Sequence, residues 1–291
     1  MAPRRSQHDI EKDIPVSEDL TGSAVTAERM RGLGFIARQK VRLMEWLNAR
    51  EQRKADRNIR ANEALWADMS AYWANSNTIP ASMSDYWVLY DFVRRNKPKQ
   101  ILEFGTGQST VVMSRALMEN EQETGERGHI TSMEESRDWA AMAAAAMPEH
   151  LRPYHEIIQS DKRDGFYKMF RGVCYTSIPE RDYDFVFSDG PERHSPVNND
   201  KLFDLDLIFI VQRTEKPITA IVDNHYLTFY VFQKVFGVDK ARYDVRKRLM
   251  YVGPVNKHDV RHLKKENFLN DLRFFGRSEL KLRMALDEEW R

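Results

Sequence analysis

Gln100-Ile101-Leu102-Glu103-Phe104-Gly105-Thr106-Gly107-Gln108-Ser109-Thr110 is the stretch that decides the fold. Residues 100 to 104 form a short apolar run that reads as a strand. Gly105 and Gly107 permit a sharp reversal at its carboxyl end, and Ser109 to Met118 has the spacing of a helix. Downstream the rhythm repeats. His129 to Met133 reads as a strand, Trp139 to Met147 as an Ala-rich helix, and Tyr154 to Gln159 as a third strand. Tyr183 to Ser188 is a fourth strand and Ile218 to Val222 a fifth, while Ala241 to Arg246 and Arg248 to Val252 have the look of an antiparallel pair. Strands that alternate with helices predict a doubly wound, mainly parallel α/β sheet.

Upstream the pattern is helical. From Thr26 to about Asn75 the apolar residues Met30, Leu33, Ile36, Val41, Met44 and Leu47 recur among charged ones. A second helix carries Leu65, Trp66, Met69 and Trp73 and ends near Pro80. Another helix is expected from Ser84 to Arg95, with Ser84 as its N-cap. The expected organisation is a disordered lead-in over 1–25, a helical region over 26–79 (cap or oligomer contact), the α/β domain over 80–255, and a charged extension over 256–291.

The chain of 291 residues, with 42% hydrophobic and 31% charged residues, can bury a real core. Its 45 basic and 44 acidic residues leave a net charge of +1, which disfavours a dedicated nucleic-acid binder. Cys174 is the only cysteine, so neither an intrachain disulfide nor a cysteine zinc site can form. No run approaches the roughly 18 apolar residues of a membrane helix. The start lacks the apolar core of a secretory signal, and a cytoplasmic protein is expected.

The glycine turn lets a ligand approach the backbone, and the helix after it offers free N–H groups to an anion. A pyrophosphate fingerprint wants a small third residue where this chain has Thr110. An acid, Glu103, precedes the turn instead. It is placed either to meet a cationic ligand or to accept hydrogen bonds from the loop. Glu134, after the second strand, suits the hydroxyls of a ribose or a solvated position at a helix start. Asp161, after the third strand, fits either a base-flanking loop or a helix cap.

In this order, Leu102 to Gly107, Ser132-Met133-Glu134 and Asp184 to Pro191 resemble the class I S-adenosylmethionine-dependent methyltransferases. The Gly-x-Gly-x-Ser-Thr turn, the Glu134 to Trp139 spacing and the Asp189-Gly190-Pro191 motif are similar to one subgroup, over roughly residues 80 to 255. The resemblance implies a seven-stranded sheet with a reversed last strand. It implies S-adenosylmethionine held by Glu103, Gly105, Thr106, Gly107, Ser109, Glu134, Asp161 and Asp189.

The acceptor is expected where the fourth and fifth strands end, at Asp189 to His194 and Asp223-Asn224-His225. Two mechanisms stay open. Asp189, Asp223 and Asn224 would hold a divalent cation such as Mg²⁺, an arrangement similar to that of catechol-type O-methyltransferases, although no lysine follows Asp189 before Lys201. Alternatively His194 or His225 is a general base. The expected function is O-methylation of a small-molecule or glycan-like hydroxyl, with no nucleic-acid or membrane partner and a homo-oligomer contact through the N-terminal helices. A nicotinamide-dependent oxidoreductase and an inactive scaffold of the same fold are the alternatives.

Overall fold

A computed structural model describes residues 34–76, 78, 82–223 and 225–260. The lead-in expected over 1–25, the extension beyond 260 and Asn224 lie outside the described residues.

Seven strands form one sheet: β1 (Gln100–Phe104), β2 (His129–Glu134), β3 (His155–Gln159), β6 (Phe185–Ser188), β7 (Ile218–Val222), β8 (Ala241–Asp244) and β9 (Leu249–Val255). Their order is β3-β2-β1-β6-β7-β9-β8. The pairs from β3 through to β7 are parallel, and β9 runs against both β7 and β8. The chain order reverses between β1 and β6, so a crevice opens beyond the carboxyl ends of the strands at that point. The central strands are buried on both faces: β1 reads Ile-Leu-Glu-Phe and β6 Phe-Val-Phe-Ser with every residue buried.

Helices cover both faces: α4 (Gln108–Thr124), α5 (Arg137–Ala146), α6 (Asp206–Arg213) and α7 (Tyr226–Phe236). Among the described residues, three helices precede the sheet: α1 (Phe35–Ala61), α2 (Glu63–Asn75) and α3 (Met83–Asn96). The break between α1 and α2 falls at Asn62, whose side chain accepts from Leu65 N at 3.1 Å. Ser84 is not the cap of α3. That position is Ser82, while Ser84 lies inside the helix and donates its N–H to Gln52 Oε1 on α1. The bond across to α1 recruits Ser84, which local sequence does not reveal.

α2 packs on the α/β domain. Leu65, Met69 and Tyr72 are fully buried in it. Each such side chain removed from water contributes about 1.5–3 kcal/mol. Asp68 pairs with Arg115 of α4 and sits 3.0 Å from His150 Nε2. α1 instead presents Phe35, Ile36, Leu43 and Trp46 to solvent.

One element has no counterpart in the sequence reading. The segment after Asp161, open in the sequence between a loop and a capped helix, is an antiparallel hairpin, β4 (Lys162–Tyr167) and β5 (Phe170–Tyr175). Gly165 and Gly172 within it are required by close packing. A β-carbon on Gly172 would meet Phe203 O and Leu205 Cγ at 2.6 Å. Val173 N donates to Phe203 O at 2.8 Å, and Leu205 N donates to Val173 O at 2.9 Å, so the hairpin is stitched beside the crevice.

Candidate active site

The crevice is a cavity of about 410 Å³. Gly105, Thr106, Ser109, Glu134 and Trp139 line its β1–β2 side, and Asp189, Arg193, His194, Lys201 and His225 its β6–β7 side. A larger hollow of about 520 Å³ lies by Pro179, Arg213 and Lys216, where β6 and β7 begin. That is the opposite edge of the sheet from the one where doubly wound folds bind ligands.

The turn is built by its hydroxyls. Glu103 is fully buried behind it and accepts from Ser109 Oγ at 2.5 Å, Thr110 Oγ1 at 2.6 Å and Ser132 Oγ at 2.6 Å. Burial still pushes its carboxyl up to about 7, against the lowering effect of the three donors. Its donors are hydroxyls of the turn's helix start and of β2 rather than loop N–H groups. Thr110 Oγ1 also accepts from Gly107 N at 3.0 Å, which explains a threonine where a dinucleotide fold has glycine or alanine.

Gly105 has a φ of +94°, a conformation that favours glycine, and its N–H donates to Met133 O at 2.8 Å. The turn then meets the loop after β6. A β-carbon on Gly190 would stand 3.1 Å from Gly105 N and 3.2 Å from the Tyr175 hydroxyl oxygen.

Glu134 is buried at the end of β2, where its Oε1 accepts from Ser136 N at 2.8 Å. Burial raises its carboxyl. Trp139 Nε1 donates to Thr106 O at 2.7 Å, which fixes the indole beside the glycine turn. Asp161 is exposed and does not line the cavity; its carbonyl accepts from Thr176 N at 2.8 Å. It caps no helix, because β4 follows it. Gly107 does not line the cavity either.

Across the crevice, Asp189, Asp223 and His225 bring a ligand atom each to within 4.8 Å of one another. Asp189 keeps an exposed face at the crevice, yet loss of hydration, then the Asp223 carboxylate, push it well above the usual carboxylate range. Asp85 of α3 adds a further negative charge nearby, and burial followed by Asp223 raises it to about 7. His225 Nε2 lies 3.9 Å from Asp223 Oδ2, and its Nδ1 has no partner among the described residues. Burial, then Arg193 and Lys201, push the imidazole down to about 3, so it is neutral at physiological pH. His194 hydrogen-bonds through Nδ1 to Glu192.

Three lining residues were not among the sequence candidates, Glu135, Tyr175 and Lys201, while Arg193 falls within the expected acceptor rim from Asp189 to His194. Lys201 is distant from Asp189 in sequence, and the loop returns it through a bridge to His194. The hairpin anchors that loop. Lys162 Nζ binds Glu192 Oε2 at 2.7 Å, and Arg171 reaches Asp164, Asp200, Ser195 and Asn198. Cys174 is buried, and burial raises its thiol to about 12.

The sheet order and the crevice beyond its carboxyl edge define a doubly wound, Rossmann-like α/β fold. Residues 102–208 match a family model described as "Methyltransferase domain". Among solved structures, the chain is similar to an SAH-bound methyltransferase from Podospora anserina, at 16% identity and a TM-score of 0.35 over 50% of this chain and 54% of that one. The alignment thus spans about half the length of that relative. It is also similar to a methyltransferase-like protein from Silicibacter pomeroyi, at 20% identity and a TM-score of 0.37 over 58% of this chain and 83% of that one. Sequence comparison with curated proteins finds no match. Among the described residues, no helix is long and apolar enough to cross a membrane.

Proposed function

We propose that the protein transfers a methyl group from S-adenosylmethionine to a hydroxyl of a small-molecule or glycan-like acceptor. One observation carries this reading: a single crevice joins the glycine turn and the buried Glu134 to the Asp189–Asp223–His225 cluster. S-adenosylmethionine supplies an electrophilic methyl on a sulfonium. Glu134 would accept the ribose hydroxyls, and the Trp139 indole offers a flat face to the adenine. Ser109, Thr106 and Gly105 bound the methionine portion. Glu103 acts through Ser109, Thr110 and Ser132, which it holds in place. Asp161 would serve the adenine only through the loop it begins.

Methyl transfer to a hydroxyl needs in-line placement and removal of the hydroxyl proton. Two carboxylates and a neutral imidazole form a hard oxygen–nitrogen set suited to a divalent cation. Asp189, Asp223 and His225 would hold such an ion, with Asn224 beside them in sequence. The ion would lower the acceptor hydroxyl's pKa. An imidazole held near 3 is a poor general base, which favours the cation reading over His225. His194, engaged by Glu192, is the remaining base candidate. A nicotinamide-dependent oxidoreductase is disfavoured by the methyltransferase-domain match and by Thr110 in the turn. A lone cysteine that needs no oxidising compartment supports a cytoplasmic setting.

The test is calorimetric titration with S-adenosylhomocysteine, with NAD as control. Binding of the first alone is expected. An acceptor screen with and without Mg²⁺ then separates the cation from the base mechanism.

A further inference from the structure

The crevice contains two cations that the fold does not spend. Lys162 is neutralised by Glu135 and Glu192, and His194 is engaged by Glu192. Arg171 is consumed by Asp164 and Asp200. Arg193 and Lys201 also line the cavity, yet among the described residues no hydrogen bond or ion pair holds either side chain. Asp223, Asp189, Glu192 and Asp204 act on Arg193 only at a distance.

Their backbones are nevertheless fixed. Leu202 N donates to Arg193 O at 2.8 Å, Ser195 N donates to Asp200 O at 2.8 Å, and His194 bridges Lys201. The two arms thus form a short ribbon, whose far end Arg171 ties to the hairpin. A half-enclosed guanidinium without a partner carries a desolvation cost that nothing in the protein offsets. A ligand oxyanion would offset it, since guanidinium and ammonium together match the planar or tetrahedral oxygens of such a group. The position separates this ligand from the methyl donor. Glu134 and the glycine turn stand over β1 and β2, whereas Arg193 and Lys201 stand with His225 beyond β6 and β7.

We propose that Arg193 and Lys201 form an oxyanion subsite, so that the methyl acceptor carries a carboxylate, phosphate or sulfate beside the hydroxyl that is methylated. This rests on the methyltransferase reading above. The acceptor class narrows to acidic sugars, sugar phosphates and other hydroxylated acids.

The experiment uses the full-length chain saturated with S-adenosylhomocysteine, titrated with inorganic phosphate, sulfate and glucuronate at constant ionic strength, with glucose as the neutral control. At least one oxyanion should bind and glucose should not. Arg193→Gln and Lys201→Gln should each weaken that binding at least tenfold, with S-adenosylhomocysteine affinity and melting temperature unchanged. Three results overturn the subsite. The first is no oxyanion binding by the loaded wild-type protein, or equal binding by the variants. The second is weaker S-adenosylhomocysteine binding by Arg193→Gln, which would assign the guanidinium to the donor's own carboxylate. The third is a large drop in its melting temperature, which would make it a structural counter-ion of Asp189 and Asp223. If the wild-type protein fails to bind S-adenosylhomocysteine at all, the methyltransferase reading itself has failed.

Discussion

The Tyr72 hydroxyl of α2 stands 3.9 Å from where a β-carbon on Gly107 would lie, at the rim of the glycine turn. It is fully buried, has no hydrogen-bond partner among the described residues, and feels the charges of Glu103 and Glu134. The helical region before the sheet therefore reaches the glycine turn. Buried polar atoms without partners are rare in native proteins, and a ligand commonly completes them. Tyr72→Phe should leave the fold intact and weaken S-adenosylhomocysteine binding about five- to tenfold, the size of one net hydrogen bond of about 1 kcal/mol. Unchanged affinity in calorimetry would give the hydroxyl no ligand role.

Gly190→Ala tests the contact of the two loops that shape the crevice. The new methyl would press on Gly105 N at 3.1 Å and Phe104 C at 3.2 Å, and backbone cannot move aside as a flexible side chain can. A loss of about 1–3 kcal/mol in urea unfolding is expected, together with weaker S-adenosylhomocysteine binding. A variant as stable as the wild type would show that the turn has slack.

Glu103 gives a pH dependence of definite sign. Its folded carboxyl titrates at about 7, above the ordinary value of 4.5. Between these values the folded state keeps a proton that the unfolded chain has lost, so this group lowers stability as pH rises, by on the order of 3 kcal/mol in all. His225, held down to about 3, acts in the opposite direction up to its ordinary value of 6.5. The difference between wild type and Glu103→Gln isolates the first effect. The variant should gain stability relative to wild type from pH 5 to pH 8. A constant difference would contradict burial of the charge.

Asp223→Asn tests the cation reading. Mg²⁺ or Mn²⁺ should raise the melting temperature of the wild-type protein at pH 8 and do so far less in the variant. Chelator should abolish turnover, and added Mg²⁺ should restore it. Indifference to chelator and metal would move proton removal to His194.

Much of this architecture was legible because the sheet's signals are local. Each central strand is a short apolar run ended by turn residues, and Gly105 declares the turn after β1. The hairpin β4–β5 was not legible, since Gly165 and Gly172 imitate loop residues and their reason is Leu205, distant in sequence. Asp189, Asp223 and His225 followed from their places after strands. Arg193 fell within the expected rim after β6, but Lys201 and Tyr72 did not, because loop closure and helix docking place them, and no spacing encodes either. For Glu103 the clue lay in the hydroxyls of Ser109, Thr110 and Ser132, whose meeting on one carboxylate only the β1–β2 register reveals.

The most direct test is calorimetric titration of the wild-type protein and Glu134→Ala with S-adenosylhomocysteine, with NAD in parallel. The Glu134 carboxylate is held by backbone N–H groups alone, those of Ser136, Glu135 and Thr106, so the variant should stay folded while losing at least tenfold in affinity. The account predicts that the wild-type protein binds S-adenosylhomocysteine and not NAD, and that the variant binds it poorly. Binding of NAD alone, or no binding of S-adenosylhomocysteine by the wild-type protein, would contradict it.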